Sequence, residues 1–534
     1  MRLRLETNPV VFGVSVVVIL VFLLAGVTAT AAVERFFEAV QRGIAVGLGW
    51  YYVLVVGGFL VFVIWLGASR FGRIRLGGPD SRPEYRYLTW FAMLFTAGMG
   101  IGLVFWAVAE PLSHLVNPPL TAEAGTPEAR TEAMRFTFFH WGLHAWGIYA
   151  VVGLSLAYFA YRHRLPLSFR SVLYPILGER IHGRWGDAVD TFAVFGTMFG
   201  VATSLGFGIL QVNAGLASLE LLPETTGVQL ALIAGITAAA IASLMAGLDK
   251  GILRLSVANL CLAVALLTFV LAAGPTTEVL GAFVQQVGHY VQTLPETTLW
   301  TDAERQTGWQ ASWTIFYWGW WISWSPFVGM FIARVSKGRT LREFVFGVLL
   351  VPAALTFLWM AVFGNTAFAV DAATGGELSA AVSEDPAMGL FGLLTELPLA
   401  PVMTVLAILL VAVYFVTSSD SASLVIDLLT SGGSIDPPRT QRAFWAALEG
   451  GVAAVLLTAG SDGLGALQTA AITTALPLSV VMLVLCYGLV RALYADSRLR
   501  SLDDVCLLKP GHDRVPDSGE PGRSPFRDGV QGSP

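Results

Sequence analysis

Twelve stretches of this chain are apolar over a length that can cross a bilayer, and that pattern leaves little choice of architecture. They begin near Pro9, Ala45, Leu88, Arg135, Ala188, Val228, Gly251, Trp313, Phe344, Pro398, Gln441 and Gly465. A hydrocarbon core about 30 Å thick needs about 20 apolar residues per crossing helix. Only 13% of the 534 residues are charged, against about 25% in soluble domains. The sequence therefore predicts an all-α integral membrane protein with 12 transmembrane helices.

Basic residues set the orientation, because cytoplasmic loops hold the Lys and Arg. Of 32 Lys and Arg, only Arg35, Arg42, Arg130, Arg135 and Arg305 fall in outer loops if both termini are cytoplasmic. The inner loops include the clusters Arg70, Arg73, Arg75, Arg82 and Arg86, and Arg334, Lys337, Arg339 and Arg342. The first apolar run resembles a secretory signal, with Arg2 and Arg4 before it and small residues at Thr28–Ala32. Its length from Val10 to Val33 exceeds the usual core of about 7 to 15 residues and favours a retained helix. Cys261 and Cys486 lie in predicted helices and Cys506 in the tail, so no disulfide framework is expected. The net charge of −5 points to no partner, and no nucleic-acid partner is expected.

Within this pattern, Trp313 to Ser325 (WTIFYWGWWISWS) holds five tryptophans in thirteen residues. Membrane tryptophans usually sit at the water interfaces, but a helix starting at Trp313 carries Trp320, Trp321 and Trp324 near mid-membrane. At 100° per residue, Phe316, Tyr317, Trp320, Trp321 and Trp324 share a face roughly 140° wide. Ring faces attract a quaternary ammonium by about 0.5 to 2 kcal/mol per contact. Trp141 and Tyr149, eight residues apart on one predicted helix, are about 80° apart in rotation and can face the same cavity; core packing is the competing account.

Two features break the helical pattern: the glycine run Gly98-Met99-Gly100-Ile101-Gly102 in the third helix, and Ser325-Pro326 in the eighth. Each glycine costs about 1 kcal/mol inside a helix and a proline removes a hydrogen bond. Close helix packing through Gly98 and Gly102 is the other reading. Breaks at matching places in two halves point to an inverted-repeat transporter with a mid-membrane site. The predicted organisation is 1–87, two added N-terminal helices; 88–277, a first five-helix repeat (helices 3–7); 278–312, an amphipathic helix and loop on the outer surface; 313–491, a second repeat (helices 8–12); and 492–534, a disordered cytoplasmic tail.

In the tenth helix, Tyr414-Phe415-Val416-Thr417-Ser418-Ser419-Asp420-Ser421 is a polar cluster in an apolar span, and such clusters are usually functional. Hydroxyl and carbonyl oxygens suit a small hard cation, so Thr417 and Ser418 are candidate sodium ligands; hydrogen bonding between helices is the alternative. His140 and His144 stand at metal-binding spacing. The other histidines are scattered singly, so hydrogen-bonded helix histidines are expected rather than a metal site. No HExxH or GxSxG motif is present. No Lys or Arg falls inside a predicted span, so a substrate carboxylate would be met by main-chain N–H groups, a helix N-terminus or a bound cation.

These residues resemble the betaine/carnitine/choline transporter family. The run WTIFYWGWWISWSPFVGMFIARVSKGRTLREF is similar to its signature, and GMGIG, Trp141 with Tyr149, and TSSDS fit as well, over about Glu84 to Arg491. The resemblance implies a leucine-transporter-like fold on helices 3–12, a homotrimer in the cell membrane, and secondary transport of a trimethylammonium solute with no cofactor beyond a coupling ion. Carried over by position, it implies an aromatic box of Trp141, Tyr149, Trp320, Trp321 and Trp324, lined or gated by Phe316 and Trp318, with the substrate carboxylate near Gly98, Met99, Gly100 and Gly102. It implies a main sodium site at Thr96, Met99, Tyr414, Thr417 and Ser418. A second sodium site would lie near Thr197 and Phe327, where Val201 replaces an expected threonine. Choline-type members tend to carry Asp at the position of Gly102, so glycine favours a zwitterion such as glycine betaine. The tail has six basic against seven acidic residues from Asp496 onward, unlike the basic helix of osmosensing members. The expectation is sodium symport of glycine betaine for osmoprotection, with a proton-coupled choline or carnitine carrier, or an exchanger, as the alternative.

Overall fold

The computed structural model describes residues 7–98, 100–246, 249–433, 438–459 and 464–498. The described residues are helical throughout and contain no strand. In chain order the main helices are α1 (Pro9–Thr28), α2 (Thr30–Gly47), α3 (Gly49–Ala68), α4 (Tyr87–Gly98), α5 (Ile101–Val116), α6 (Pro127–Trp141), α7 (Leu143–Arg162) and α8 (Arg184–Ser218). They continue as α9 (Thr226–Ala246), α10 (Asp249–Ala273), α11 (Thr276–Leu299), α12 (Thr314–Val335), α13 (Leu341–Ala373), α14 (Ala400–Thr430), α15 (Arg439–Thr458) and α16 (Leu464–Arg498).

Nine spans among the described residues are long and apolar enough to cross a membrane. The other three predicted spans are present as helices that differ for identifiable reasons. The third is split into α4 and α5. In the eighth, α12, tryptophan and tyrosine replace aliphatic residues, and the eleventh, α15, carries Glu449. Along α1, Val14, Val17, Val21, Leu24 and Val27 are exposed, as expected of a helix whose outer face meets lipid. By contrast α12 is buried along almost its whole length, packed against α7, α8, α16 and α4.

The glycine run interrupts the third span where expected: α4 ends at Gly98, Gly100 is extended (φ −153°, ψ −172°), and α5 starts at Ile101. The predicted fourth helix is also two helices, a break the sequence reading did not include. At Gly142 the backbone turns to φ −96°, ψ −139°, where a Cβ would overlap the Phe138 carbonyl oxygen. Tyr290 Oη accepts the freed N–H of Leu143 at 3.2 Å. The rotational argument relating Trp141 to Tyr149 therefore fails, because they stand on different helices.

The predicted break at Ser325-Pro326 does not occur. Helix α12 runs unbroken through Pro326 because Ser325 Oγ donates to the Ile322 carbonyl at 2.7 Å. That carbonyl, four residues before the proline, is the one deprived of its N–H donor.

At the other end of the chain, α16 extends through Arg498, so the boundary expected at 492 is also corrected. Asp496 is buried there and accepts from Tyr158 Oη at 2.6 Å and from Arg162; the rest of the predicted tail, with Cys506 and His512, lies outside the described residues. On the same side the two basic loops clasp each other. Leu76 N donates to Arg339 O and Gly338 N to Leu76 O, both at 2.8 Å, and the Arg339 guanidinium lies 4.1 and 4.6 Å from the Tyr87 and Trp90 ring centroids. Thr340 and Glu343 then close a capping box that starts α13.

Ser325→Ala should lower stability by about 1 to 3 kcal/mol through the unmet Ile322 carbonyl. Adding Pro326→Ala, which restores an N–H, should recover most of the loss; thermal unfolding of the detergent-purified variants measures both.

Candidate substrate site

The tryptophan helix carries the site. Trp320 and Trp321 stack with centroids 4.7 Å apart and planes within 15°, and Phe316 stacks on Trp320 at 5.5 Å. Trp141, the last residue of α6, meets Trp321 edge-on at 4.9 Å and Trp320 at 6.2 Å. Tyr149 of α7 stands 6.3 Å from both Trp321 and Trp324. The structure thus brings together five of the predicted aromatic residues, Trp141, Tyr149, Trp320, Trp321 and Trp324, with Phe316 behind them, and all are buried.

Trp318 lies in a neighbouring cluster instead, 5.0 Å from Phe139 and 5.5 Å from His144. Phe327 is next to the box, 5.6 Å from Trp324.

Most of the indoles are anchored by hydrogen bonds. Trp321 Nε1 donates to the His140 carbonyl at 2.9 Å, which fits a carbonyl at the end of α6 with no helical partner. Trp320 Nε1 reaches Ser204 Oγ at 3.3 Å. Trp324 Nε1 and Tyr149 Oη are fully enclosed and have no partner among the described residues. Two unmet donors beside a wall of ring faces cost about 1 to 3 kcal/mol each, a cost that a bound acceptor would offset.

Glycines let the rings come this close to backbone. A Cβ on Gly102 would overlap the Trp320 ring, and one on Gly100 would stand 3.4 Å from Trp324 Cη2. Gly102 is therefore required for space, whatever its bearing on substrate charge. Met99 lies outside the described residues, and for Thr96 and Gly98 only helical backbone is described.

Of the other predicted oxygen ligands, Thr417 Oγ1 accepts from Asn259 Nδ2 at 3.1 Å and approaches the carbonyls of Val413 (3.0 Å) and Tyr414 (3.2 Å). Ser418 is half-buried beside it. Thr197 Oγ1 donates to Ala193 O at 2.8 Å within its own helix, and Val201 is buried one turn on.

One residue at the site escaped the sequence reading. Glu110 of α5 is fully buried and accepts at Oε2 from Trp141 Nε1 (2.7 Å) and Tyr317 Oη (2.5 Å). Its Oε1 lies 2.7 Å from His140 Nδ1 and 3.3 Å from His114 Nε2. The signal was available as an acidic residue in the apolar run VFWAVAEPLSHLV. Glu110, His114 and His140 could by type and proximity hold a metal, but both carboxylate oxygens already accept N–H or O–H donors. His144 Nε2 lies 3.0 Å from Thr298 Oγ1, and the cluster of Glu110, His114 and His140 does not include it.

The betaine/carnitine/choline family transporter model matches residues 10–498. The chain belongs to this family. A glycine betaine transporter of Acinetobacter baylyi is 49% identical, over 92% of this chain and 74% of its own. The glycine betaine transporter OpuD of Bacillus subtilis is 45% identical over 91% and 95%, and an uncharacterized transporter of Mycobacterium tuberculosis 50% over 92% and 83%. Among solved structures, a sodium-coupled sialic acid symporter aligns over 76% of this chain and 80% of its own at 12% identity and a TM-score of 0.40, a likeness too slight to carry an argument. The chain is accordingly a multi-pass membrane transporter and not an enzyme.

Gly102→Ala should displace the Trp320 ring and destabilise the fold by about 1 to 3 kcal/mol through overpacking. The pair Gly102→Ala with Trp320→Phe should recover part of that loss, read by the same unfolding measurement.

Proposed function

We propose that this transporter imports glycine betaine, or a trimethylammonium zwitterion close to it, by sodium symport, for osmoprotection. In this reading twelve helices cross the cell membrane with both termini cytoplasmic, helices 3–7 and 8–12 form the two inverted repeats, and three copies assemble. The observation that carries the substrate assignment is the pairing of two surfaces in one place. The ring faces of Trp141, Trp320 and Trp321 suit a methylated ammonium that has no N–H to bond. Beside them, the unmet donors Trp324 Nε1 and Tyr149 Oη suit a carboxylate. A zwitterion answers both needs. The named substrates of the Acinetobacter and Bacillus relatives support the same assignment.

Sodium is assigned to the oxygens of Tyr414, Thr417 and Ser418 with the backbone at Thr96 and Met99, joining α4 to α14. A second ion near Thr197 and Phe327 has less support, because Val201 offers no oxygen there. Proton coupling is favoured by one feature. Glu449 of α15 is fully buried, takes a hydrogen bond from Ser419 Oγ at 2.8 Å on one carboxyl oxygen, and has no partner among the described residues on the other; a carboxyl so placed can carry a proton.

Uptake of labelled glycine betaine by proteoliposomes distinguishes the two. Accumulation should follow an inward sodium gradient, and uptake driven by a proton gradient alone would overturn sodium symport. Trp321→Ala should weaken betaine binding about 5- to 30-fold, the equivalent of about 1 to 2 kcal/mol for one ring face, while unchanged affinity would remove that ring from the site.

A further inference from the structure

The charge balance around Glu110 is unusual for a buried carboxylate. Its four hydrogen-bond donors are two imidazoles, an indole and a phenol, and no Lys or Arg among the described residues pairs with it. The ion pairs that the geometry allows are with His114 and His140 alone.

The surroundings of His114 fit a neutral imidazole. Its Nε2 faces Glu110, and its Nδ1 is enclosed without a partner among the described residues. An imidazolium would place a charged N–H against nothing, at a large cost. His140 Nδ1 lies 2.7 Å from Glu110 Oε1, and its Nε2 lies 3.0 Å from Thr314 Oγ1, a hydroxyl that can donate to a neutral ring. With Glu110 ionised and both imidazoles neutral, the cluster carries one net negative charge that no Lys or Arg among the described residues balances. Four donors soften the burial of such a charge but do not remove it.

The two donors on Oε2 belong to the aromatic site itself. Trp141 and Tyr317 both face Trp321, at 4.9 and 5.7 Å, and Tyr317 is 5.6 Å from Trp141. A ring whose N–H or O–H is bound to a carboxylate is polarised, so that its face becomes more negative. A cation held on that face is attracted by the ring and by the carboxylate behind it, in surroundings that screen charge poorly.

We infer that Glu110 is the specificity-determining positioning residue of this site: its carboxylate, acting through Trp141 and Tyr317, makes the aromatic wall select a cationic head group over a neutral one of the same shape. This rests on the functional reading above and deepens it. The ammonium of the ligand supplies the positive charge that the Glu110 cluster lacks.

The test compares glycine betaine with tert-butylacetate, which keeps the carboxylate and the three methyl groups but has carbon in place of the charged nitrogen. Binding of each to the purified full-length protein is measured by tryptophan fluorescence and by displacement of labelled betaine. The quantity read is the ratio of the two affinities. Glu110→Gln keeps the size of the side chain and a hydrogen-bond acceptor. It should cut the ratio by about tenfold, or about 1.4 kcal/mol, with little change for tert-butylacetate.

If Glu110 only braces α5 against α6 and α12, both ligands weaken together and the ratio holds, which would overturn the inference. Should the glutamine variant not fold, Tyr317→Phe serves instead. It keeps a ring and removes the O–H link to Glu110, and the ratio should fall by about threefold; an unchanged ratio would again overturn it. Failure of the unaltered protein to bind betaine would sink the functional reading and this inference together, whereas betaine binding with an unaltered ratio in the variants removes the role of Glu110 alone.

Discussion

Everything at the centre of this molecule depends on enclosing one tryptophan-rich helix on all sides. Large flat rings cannot be brought near neighbouring backbone unless the neighbours present almost no side chain. Here they do. Gly200 of α8 would place a Cβ 3.0 Å from the backbone of Ser323 and Trp324, and Gly319 of α12 itself would place one 2.8 Å from Ile472 Cα. Small residues at such crossings let van der Waals contact replace the hydrophobic drive that lipid cannot provide between helices. The gain is a stack of rings, Phe316, Trp320 and Trp321, held in fixed contact.

Enclosure also raises the stakes for every polar atom on that helix. Backbone and side-chain groups cut off from water must find partners within the protein, and the helix meets this in specific ways. Ser325 supplies the donor that Pro326 lacks, and Ser323 Oγ bonds Ala471 O at 2.8 Å on α16. Trp321 takes the carbonyl left open where α6 stops at Gly142. Against this near-complete pairing, Trp324 Nε1 and Tyr149 Oη stand out as enclosed donors with no partner among the described residues, and Glu110 as a buried acidic residue with no Lys or Arg among them paired to it.

Much of the architecture was legible from order and composition alone. Helix α12 and its aromatic face, the interruption at the glycine run, and the presence of a helix in the segment expected at 278–312 follow from apolar length, helical period and the helix cost of glycine, which are local properties of the chain. The misreadings share one cause: each turned on a side-chain partner that helical period and apolar length do not register. The missed break at Gly142 depends on Tyr290 and on crowding by Phe138, and Asp496 looked like the start of a tail until Arg162 and Tyr158 were brought to it. Pro326 looked like a break, although its rescue by the adjacent Ser325 was only one hydrogen bond away. Glu110 is not legible as part of the site because its partners, His114, His140, Trp141 and Tyr317, lie on three different helices.

By itself the sequence determined the class of the molecule, most of its helices, its family and the aromatic face of α12, because bilayer thickness and helix geometry translate directly into residue counts. Only the tertiary structure decided which rings share a wall, that Trp318 belongs to another, that Gly102 is held empty by Trp320, and that a buried carboxylate stands behind Trp141. These are matters of which side chains meet across helices, and packing between separate helices leaves no period or spacing in the chain to read.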